Sequence, residues 1–530
     1  MIKTDQMDIW EEFQKGIGYN NQIGLYDTVK RNEEFYIGKQ WEGVRAGNLD
    51  KPVLNILKRV VSYFNSQIVS DDVGVSFDAW ETEDKEMADI LAREIERVIE
   101  DTKLKTLFRG VIRDASVDGD GALYFRWDPD APTGQPARGA VRAEPVENRC
   151  LYFGNPYSDD LQGQPYLLIA SRVPVDRAKE EARKAGSPDA ESITADSDAI
   201  PGTDDSDELV TVVTKFWKER GTVRAKKITG TAVVRETWDT GLTRYPVAMM
   251  SWEKVKFSYH GQAAVTTQIQ NQISVNKLFA MALQSVKEFA FPKIFYDRTR
   301  VPNWSNKLDD AIGVSGDPNT QIYAGFRAPD MSSQVMQVIE SLINYTKEMM
   351  GASDAALGNV KPDNTSAIIA VQQASAAPLQ IQKLAFYQFV EDVVRVLLDM
   401  ICTYYGVRRV TVDGEMRMVD FSQLSEMNLR LKVDVGAASY WSELTQIQTL
   451  DNLFSKGIIA DPVTYLENIP SAYVKNKQKI IEELKERQMQ AAGGQMEAEL
   501  MAALTPEEQA VVQQNPQLLA QATAGIVQQK

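Results

Sequence analysis

This sequence predicts an α+β fold, predominantly helical. Three observations carry the prediction. Apolar stripes with a 3.6-residue period recur over long stretches, β-branched or alternating segments form separate groups, and a small strand-like insert divides two long helices. In "LNILKRVVSYFNSQIV" the stripe runs through Leu54, Ile56, Leu57, Val60, Val61, Phe64 and Ile68. The preceding "RNEEFYIGKQW" ends in a glycine-centred break, and further helices are expected at about Thr82–Thr102 and Lys105–Ser116. "DGDGALYFRWD" then reads as a glycine turn entering a strand, followed by β structure over 140–175 and a short helix at Val175–Lys184.

The segment 186–208, "GSPDAESITADSDAIPGTDDSDE", is acidic and turn-rich and is expected to be a surface insertion or a disordered linker. "LVTVVTKFWKE", "TVRAKKITG" and "TAVVRETWDT" suggest a meander of three strands. From Gly261 to Ala290 a long helix is expected. Val265, Ile269, Ile273, Ala280 and Leu283 lie along one edge, and Gln268, Asn271, Gln272 and Gln284 lie opposite. The amide side is expected to face either a channel or a neighbouring subunit. "KIFYD" and "QIYAG" are strand-like, and a second helix spans about Ser332–Met350. After a small polar loop, 351–366, a helix capped by Asn364, Thr365 or Ser366 should run to Tyr405, kinked at Pro378. Two strand segments with a glycine turn fill 406–439, and 440–530 is expected to be helical, with start signals at Asp461–Pro462 and Thr505–Glu508 and a Gln-rich end.

A chain of 530 residues has room for about three to five structural units. Its formal net charge of −16 argues against a protein that grips nucleic acid over its whole surface. The only histidine is His260, and the two cysteines, Cys150 and Cys402, are far apart. That leaves no typical zinc site and little scope for His-based acid–base chemistry; a cofactor or metal is not expected. Buried free thiols, and so a reducing compartment, are the simplest reading. His260 itself is expected to be a structural residue. No P-loop, G-x-S-x-G or H-E-x-x-H occurs, and "DGDG" lacks the remaining ligands of a calcium loop. "MIKTDQMDIWEEFQKGIG" lacks the apolar core of a signal peptide, and the most apolar stretch, Leu379–Tyr405, carries too many charges to span a membrane.

The order of elements (long helix, small β insert, second helix, polar loop, long helix) resembles the tailed-bacteriophage portal, or head-to-tail connector, proteins. Four stretches carry the resemblance: "RNEEFYIGKQW…KPVLNILKRVVSYFNSQI", "DASVDGDGALYFRWD", "SYHGQAAVTTQIQNQISVNKLFAMALQSVKEFAFPKIFYD" and "NTSAIIAVQQASAAPLQIQKLAFYQFVEDVVRVLLDMI". The resemblance covers about Arg31–Ser439 and implies a portal-type fold. Residues 1–255 would form a wing, returning through 406–439. Residues 256–290 and 332–350 would be stem helices, 291–331 a clip, 351–366 a tunnel loop, 367–405 a long kinked helix and 440–530 a crown with a helical tail.

It also implies a dodecameric homo-oligomeric ring at one capsid vertex through which double-stranded DNA is packaged and ejected. The implied partners are the terminase large subunit, the head–tail adaptor, and the major capsid and scaffolding proteins. The implied location is the virion, with assembly in the host cytoplasm, and neither catalysis nor a membrane is implied. On this reading Gly351, Ala352, Ser353, Gly358, Asn359, Lys361 and Asn364 face DNA. Neutral, flexible contacts suit a conduit, because each cation on a phosphate adds salt-dependent affinity and a ring of them would hold the duplex. A local excess of positive charge marks Lys277, Lys287, Lys293, Arg298 and Arg300 as weak phosphate contacts or a docking surface; intersubunit ion pairs and solvated faces are the alternative. Two other classes stay open from sequence alone, a metal-dependent enzyme acting on DNA and a different virion structural protein.

Overall fold

The computed structural model describes residues 4–45, 47, 49–69, 73–79, 85–135, 137–196, 200–201, 208–290, 293–305, 312–321, 323–326, 333–352, 377–412, 415–426, 429–435, 440–459, 461–469 and a few positions between 477 and 487. The chain divides into two compact units, Met1–Gly436 and Ala437–Lys530.

The first unit starts with helices α1 (Gln6–Gln22), α2 (Leu25–Ile37) and α3 (Ile56–Ile68). Gly38, at φ +96°, closes α2 in the left-handed conformation that glycine adopts without strain, and the Asn55 side chain caps α3 by accepting from the Lys58 amide. Strand β1 (Val73–Ala79) precedes α4 (Lys85–Asp101) and α5 (Leu104–Asp118). β1 is signalled in the sequence only by the short alternation of Val73, Val75 and Phe77.

Strands β2 (Asp120–Asp128) and β3 (Ala140–Val146) pair with β9 (Val247–Ser251) in the order β3-β2-β9. This sheet, with α3, α4, α5 and the later helix α9 (Gln380–Tyr404), encloses the main core around Phe64, Phe108, Phe125, Phe386 and Phe389. The glycine turn expected at "DGDG" is present. Gly119 takes φ +106°, and a Cβ there would lie 2.5 Å from the Gly261 carbonyl oxygen. A Cβ on Gly121 would lie 2.4 Å from the Val111 carbonyl oxygen. Only glycine lets β2 start this close to α5 and to the segment ahead of the next long helix.

A five-stranded sheet, β4 (Leu151–Phe153), β5 (Tyr166–Pro174), β6 (Leu209–Glu219), β7 (Thr222–Ile228) and β8 (Val233–Asp239), is antiparallel in sequence order. Its alternation sorts the residues of β6. Val213 packs with Ile9 and Phe13 of α1, whereas Val210 and Val212 pack with Ala178 and Ala182 of α6 (Val175–Lys184). The three-strand meander and α6 fall where the sequence places them. The acidic segment does not stay loose throughout. Ile193 and Ile200 are buried, Asp196 pairs with Arg172, and its carboxylate accepts from the Thr211 amide at 2.7 Å.

Helix α7 (Ala264–Ala290) leads into β10 (Lys293–Tyr296), which pairs antiparallel with β11 (Tyr323–Phe326). Helix α8 (Ser333–Met349) returns from that pair and packs against α7. Pro378 lies in a 3-10 turn, Ala377–Leu379, directly ahead of α9; the part of the expected kinked helix before it lies outside the described residues. Residues 367–376 and the cap candidates Asn364, Thr365 and Ser366 lie outside the described residues. Strands β12 (Val407–Val412) and β13 (Glu415–Asp420) form a hairpin, and β14 (Leu429–Val435) pairs antiparallel with β1. In the second unit, α10 (Tyr440–Ser455) is followed by α11 (Pro462–Asn468), whose first amides donate to the Asp461 carboxylate as expected. The start signal at Thr505–Glu508 and the Gln-rich end lie outside the described residues.

Candidate assembly and channel surface

The base of α7 is fixed by a buried polar hub. His260 Nδ1 lies 2.8 Å from Asp120 Oδ2, and His260 Nε2 lies 3.2 Å from the Asn20 side chain. Asp120 also accepts from Ser251 Oγ at 2.7 Å and from the Gly261 amide at 2.8 Å. The Tyr259 ring stacks on Phe153, and its hydroxyl donates to the Leu151 carbonyl at 3.0 Å. His260 is thus a packed structural residue tying α7 to α1 and β2.

Two turns further on, the predicted amide side is corrected. Gln272 is fully buried inside the chain and faces neither a channel nor a neighbour. Its Oε1 accepts from the Ile56 amide at 3.1 Å, and its Nε2 donates to the Leu54 carbonyl at 2.7 Å. Asn276 accepts from the Leu54 amide at 3.2 Å and donates to Gln40 Oε1 at 2.6 Å. The pair satisfies backbone groups at the start of α3 that a helix end leaves open. Gln268 and Asn271 bond each other and are half-buried, and Gln284 donates to Glu288 at 3.0 Å.

Beside the hub, Asp118 ends α5 with one carboxylate oxygen buried and unpartnered among the described residues. Burial, reinforced by the Asp114 charge and opposed by Arg113, pushes its pKa up to about 8. The unfolded chain releases this proton near pH ~4, so between these values the folded state holds more protons and stability falls as pH rises. Thermal melts should lose stability progressively from about pH 4 to about pH 8. Asp118→Asn should flatten that fall and be at least as stable as the native chain at the alkaline end. A variant profile parallel to the native one would show that Asp118 does not carry the slope.

Of the basic candidates, Lys277 and Arg298 are exposed. Lys287 pairs with Asp50 at 2.5 Å, both exposed. The Arg300 guanidinium donates to the Asp317 carbonyl at 2.8 Å and to Thr320 Oγ1 at 3.1 Å, closing the excursion between β10 and β11. Lys293 sits in β10 opposite Phe326. Sequence counting does not tell a solvated cation such as Lys277 from one bonded to its own loop such as Arg300.

Gly351 and Ala352 are also corrected. Gly351, at φ +74°, donates to the Glu348 carbonyl at 2.8 Å, and Ala352 donates to Lys347 at 2.8 Å. This is a Schellman stop for α8. A Cβ on Gly351 would lie 2.8 Å from Pro378 Cβ, and Ala352 is fully buried, so the chain leaves α8 and enters α9 at one place. Ser353, Gly358, Asn359, Lys361 and Asn364 lie outside the described residues.

Among the polar groups that α7 and α8 leave open stand several large apolar ones. On α8, Ile339, Thr346 and Met350 point inward, while Val338, Tyr345 and Met349 form a second, exposed stripe, with Tyr345 60% and Met349 75% exposed. Met281, Val286 and Phe289 on α7, and Phe295 on β10, are exposed as well. A helix with apolar residues on both sides is built to be covered on both sides. Cys150 and Cys402 are unbridged and half-buried, and burial pushes their thiols up to about 12 and about 11. Among the described residues no cluster of three or more His, Cys, Asp or Glu could hold a metal ion, and no helix is long and apolar enough to cross a membrane.

A mixed α+β chain whose paired helices keep an uncovered apolar face is the build of a subunit that meets other protein surfaces. The phage P22-like portal protein family model matches residues 203–530, well over half of the sequence, and the chain belongs to that family. It is therefore a phage portal protein, a structural component of the virion. No curated protein matches it.

Proposed function

We propose that copies of this chain assemble into a closed ring at one capsid vertex, a dodecamer by analogy with the family, and that double-stranded DNA passes through its axis during packaging and ejection. Helices α7 and α8 are the stem, and the β10–β11 excursion is the clip that meets the terminase large subunit and later the head–tail adaptor. Residues 1–255 with 406–439 are the wing, contacting capsid and scaffolding proteins, and 440–530 is the crown. The observation that carries this reading is the exposed apolar stripe of α8, in a chain of this family, on the helix that returns from a small two-stranded insert.

The tunnel loop, 351–366, keeps its proposed role through Ser353, Gly358, Asn359, Lys361 and Asn364. Support comes from its anchor, since the Gly351–Pro378 contact would hold the root of the segment. Gly351 and Ala352 serve as that root and do not touch DNA. Lys277, Lys293 and Arg298 are the remaining candidates for weak phosphate contacts.

Negative-stain images of the purified chain test the ring. Turbine-shaped particles with an axial hole are expected; a uniform population of monomers across micromolar concentrations would overturn the proposal.

A further inference from the structure

Phe257 is the outlier of the first unit. It is 80% exposed, and its backbone sits at φ +58°, where a bulky residue is strained. The loop that displays it is closed and braced. Gln262 donates to the Glu253 carbonyl at 2.8 Å, Lys254 pairs with Asp159 at 2.6 Å, and the Tyr259 amide donates to the Pro156 carbonyl at 3.1 Å. Val255 and Lys256 are exposed beside Phe257. The tip is an apolar knob with a cation on it, held at its base by these bonds.

Elsewhere on the same unit, α2, the 39–44 turn and α7 enclose a recess of about 440 Å³. Phe35, Trp41, Val44 and Ile273 supply apolar surface. Asp27, Glu34, Glu42, Lys30, Arg31 and Lys277 ring it. None of these six charges pairs with an opposite charge among the described residues, whereas Lys287 and Arg113 nearby on α7 and α5 do pair. An apolar floor ringed by unpaired charges of both signs matches a knob with an apolar tip flanked by Glu253 and Lys256.

The geometry points to the second copy as the occupant: the Val255–Phe257 tip of one chain seats in the α2–α7 recess of the next, with Phe257 on Trp41 and Val44 and Lys256 beside Glu34 and Glu42. Knob and recess are different surfaces, so the contact is heterologous. Repeated, a contact of this kind generates a ring or an open helix, and the covered α8 stripe is a second, separate contact. This inference rests on the ring reading above.

The test uses the full chain carrying Phe257→Cys together with Val44→Cys. Mild oxidation should give a ladder of covalently linked copies on a non-reducing gel, and neither single variant should. Phe257→Asp, checked for native secondary structure by circular dichroism, should raise the concentration for half-assembly about tenfold or more, since one large apolar contact per interface is lost. Native-like rings that neither cross-link nor respond to Phe257→Asp would overturn the seating and leave the ring reading intact. Cross-linking by Phe257→Cys alone would replace it with a symmetric contact. Absence of rings in the native chain would remove the ring reading itself.

Discussion

Replacing Glu12 by alanine is expected to destabilise the first unit by about 3–5 kcal/mol, the scale on which a buried ion pair responds to loss of one partner. Lys215 projects from the middle of β6 and has no exposed surface. Its ammonium pairs with the Glu12 carboxylate of α1 and lies 4.4 Å from the centre of the Tyr166 ring. The same surroundings, burial first and then the Glu12 charge, push the Tyr166 hydroxyl up to about 12. Removing the carboxylate leaves a cation beneath α1, facing an apolar layer of Ile9, Phe13, Leu168 and Val213. The Tyr166 ring face offers it about 0.5–2 kcal/mol, less than the carboxylate it replaces.

The double variant Glu12→Ala, Lys215→Met should recover most of the loss, because a buried pair and an apolar replacement of similar volume are often close in free energy. Urea midpoints followed by near-ultraviolet circular dichroism would separate these outcomes. A loss below about 1 kcal/mol for Glu12→Ala would mean that the pair behaves as a solvated surface bridge.

This pair also shows where sequence reading stops. Periodicity reports which apolar side chains are covered, and it served well where coverage is regular. Val175–Lys184, Leu209–Glu219 and the α7 stripe through Val265 and Ile269 stand as expected, and Pro292 follows α7 within two residues. Lys215 breaks the apolar run of β6 without announcing that a carboxylate some 200 residues earlier neutralises it. Gln272 and Asn276 look like surface amides for the same reason. Their partners are backbone groups of Leu54 and Ile56, and a one-dimensional pattern holds no information about them. Strand β1 was missed because its pairing partner, β14, lies at the far end of the unit.

The candidate surface was partly legible. The helix, insert, helix order located α7, β10–β11 and α8. Gly351 sits at the helix end of the expected loop, and a glycine that frees a loop and one that stops a helix look the same in sequence. Only φ +74° and the paired bonds to Glu348 and Lys347 tell them apart.

The second large effect is expected on assembly. Val338→Asp combined with Tyr345→Asp should leave the chain folded and largely monomeric. The two side chains stand seven residues apart on α8 and belong to the outward stripe, while the inward contacts of Ile339, Thr346 and Met350 with the core and α7 are untouched. Folding therefore loses little. Assembly loses the burial of two large apolar groups, up to about 1.5–3 kcal/mol each, and must in addition desolvate two carboxylates. Each interface of a ring bears that cost once, so the penalty multiplies around the axis, and the concentration for half-assembly should rise more than a hundredfold. Sedimentation velocity across a concentration series would read the shift, with circular dichroism confirming the fold. Rings forming at the native concentration would show that this stripe points to the channel or to solvent, and α8 would lose its place in the contact between copies.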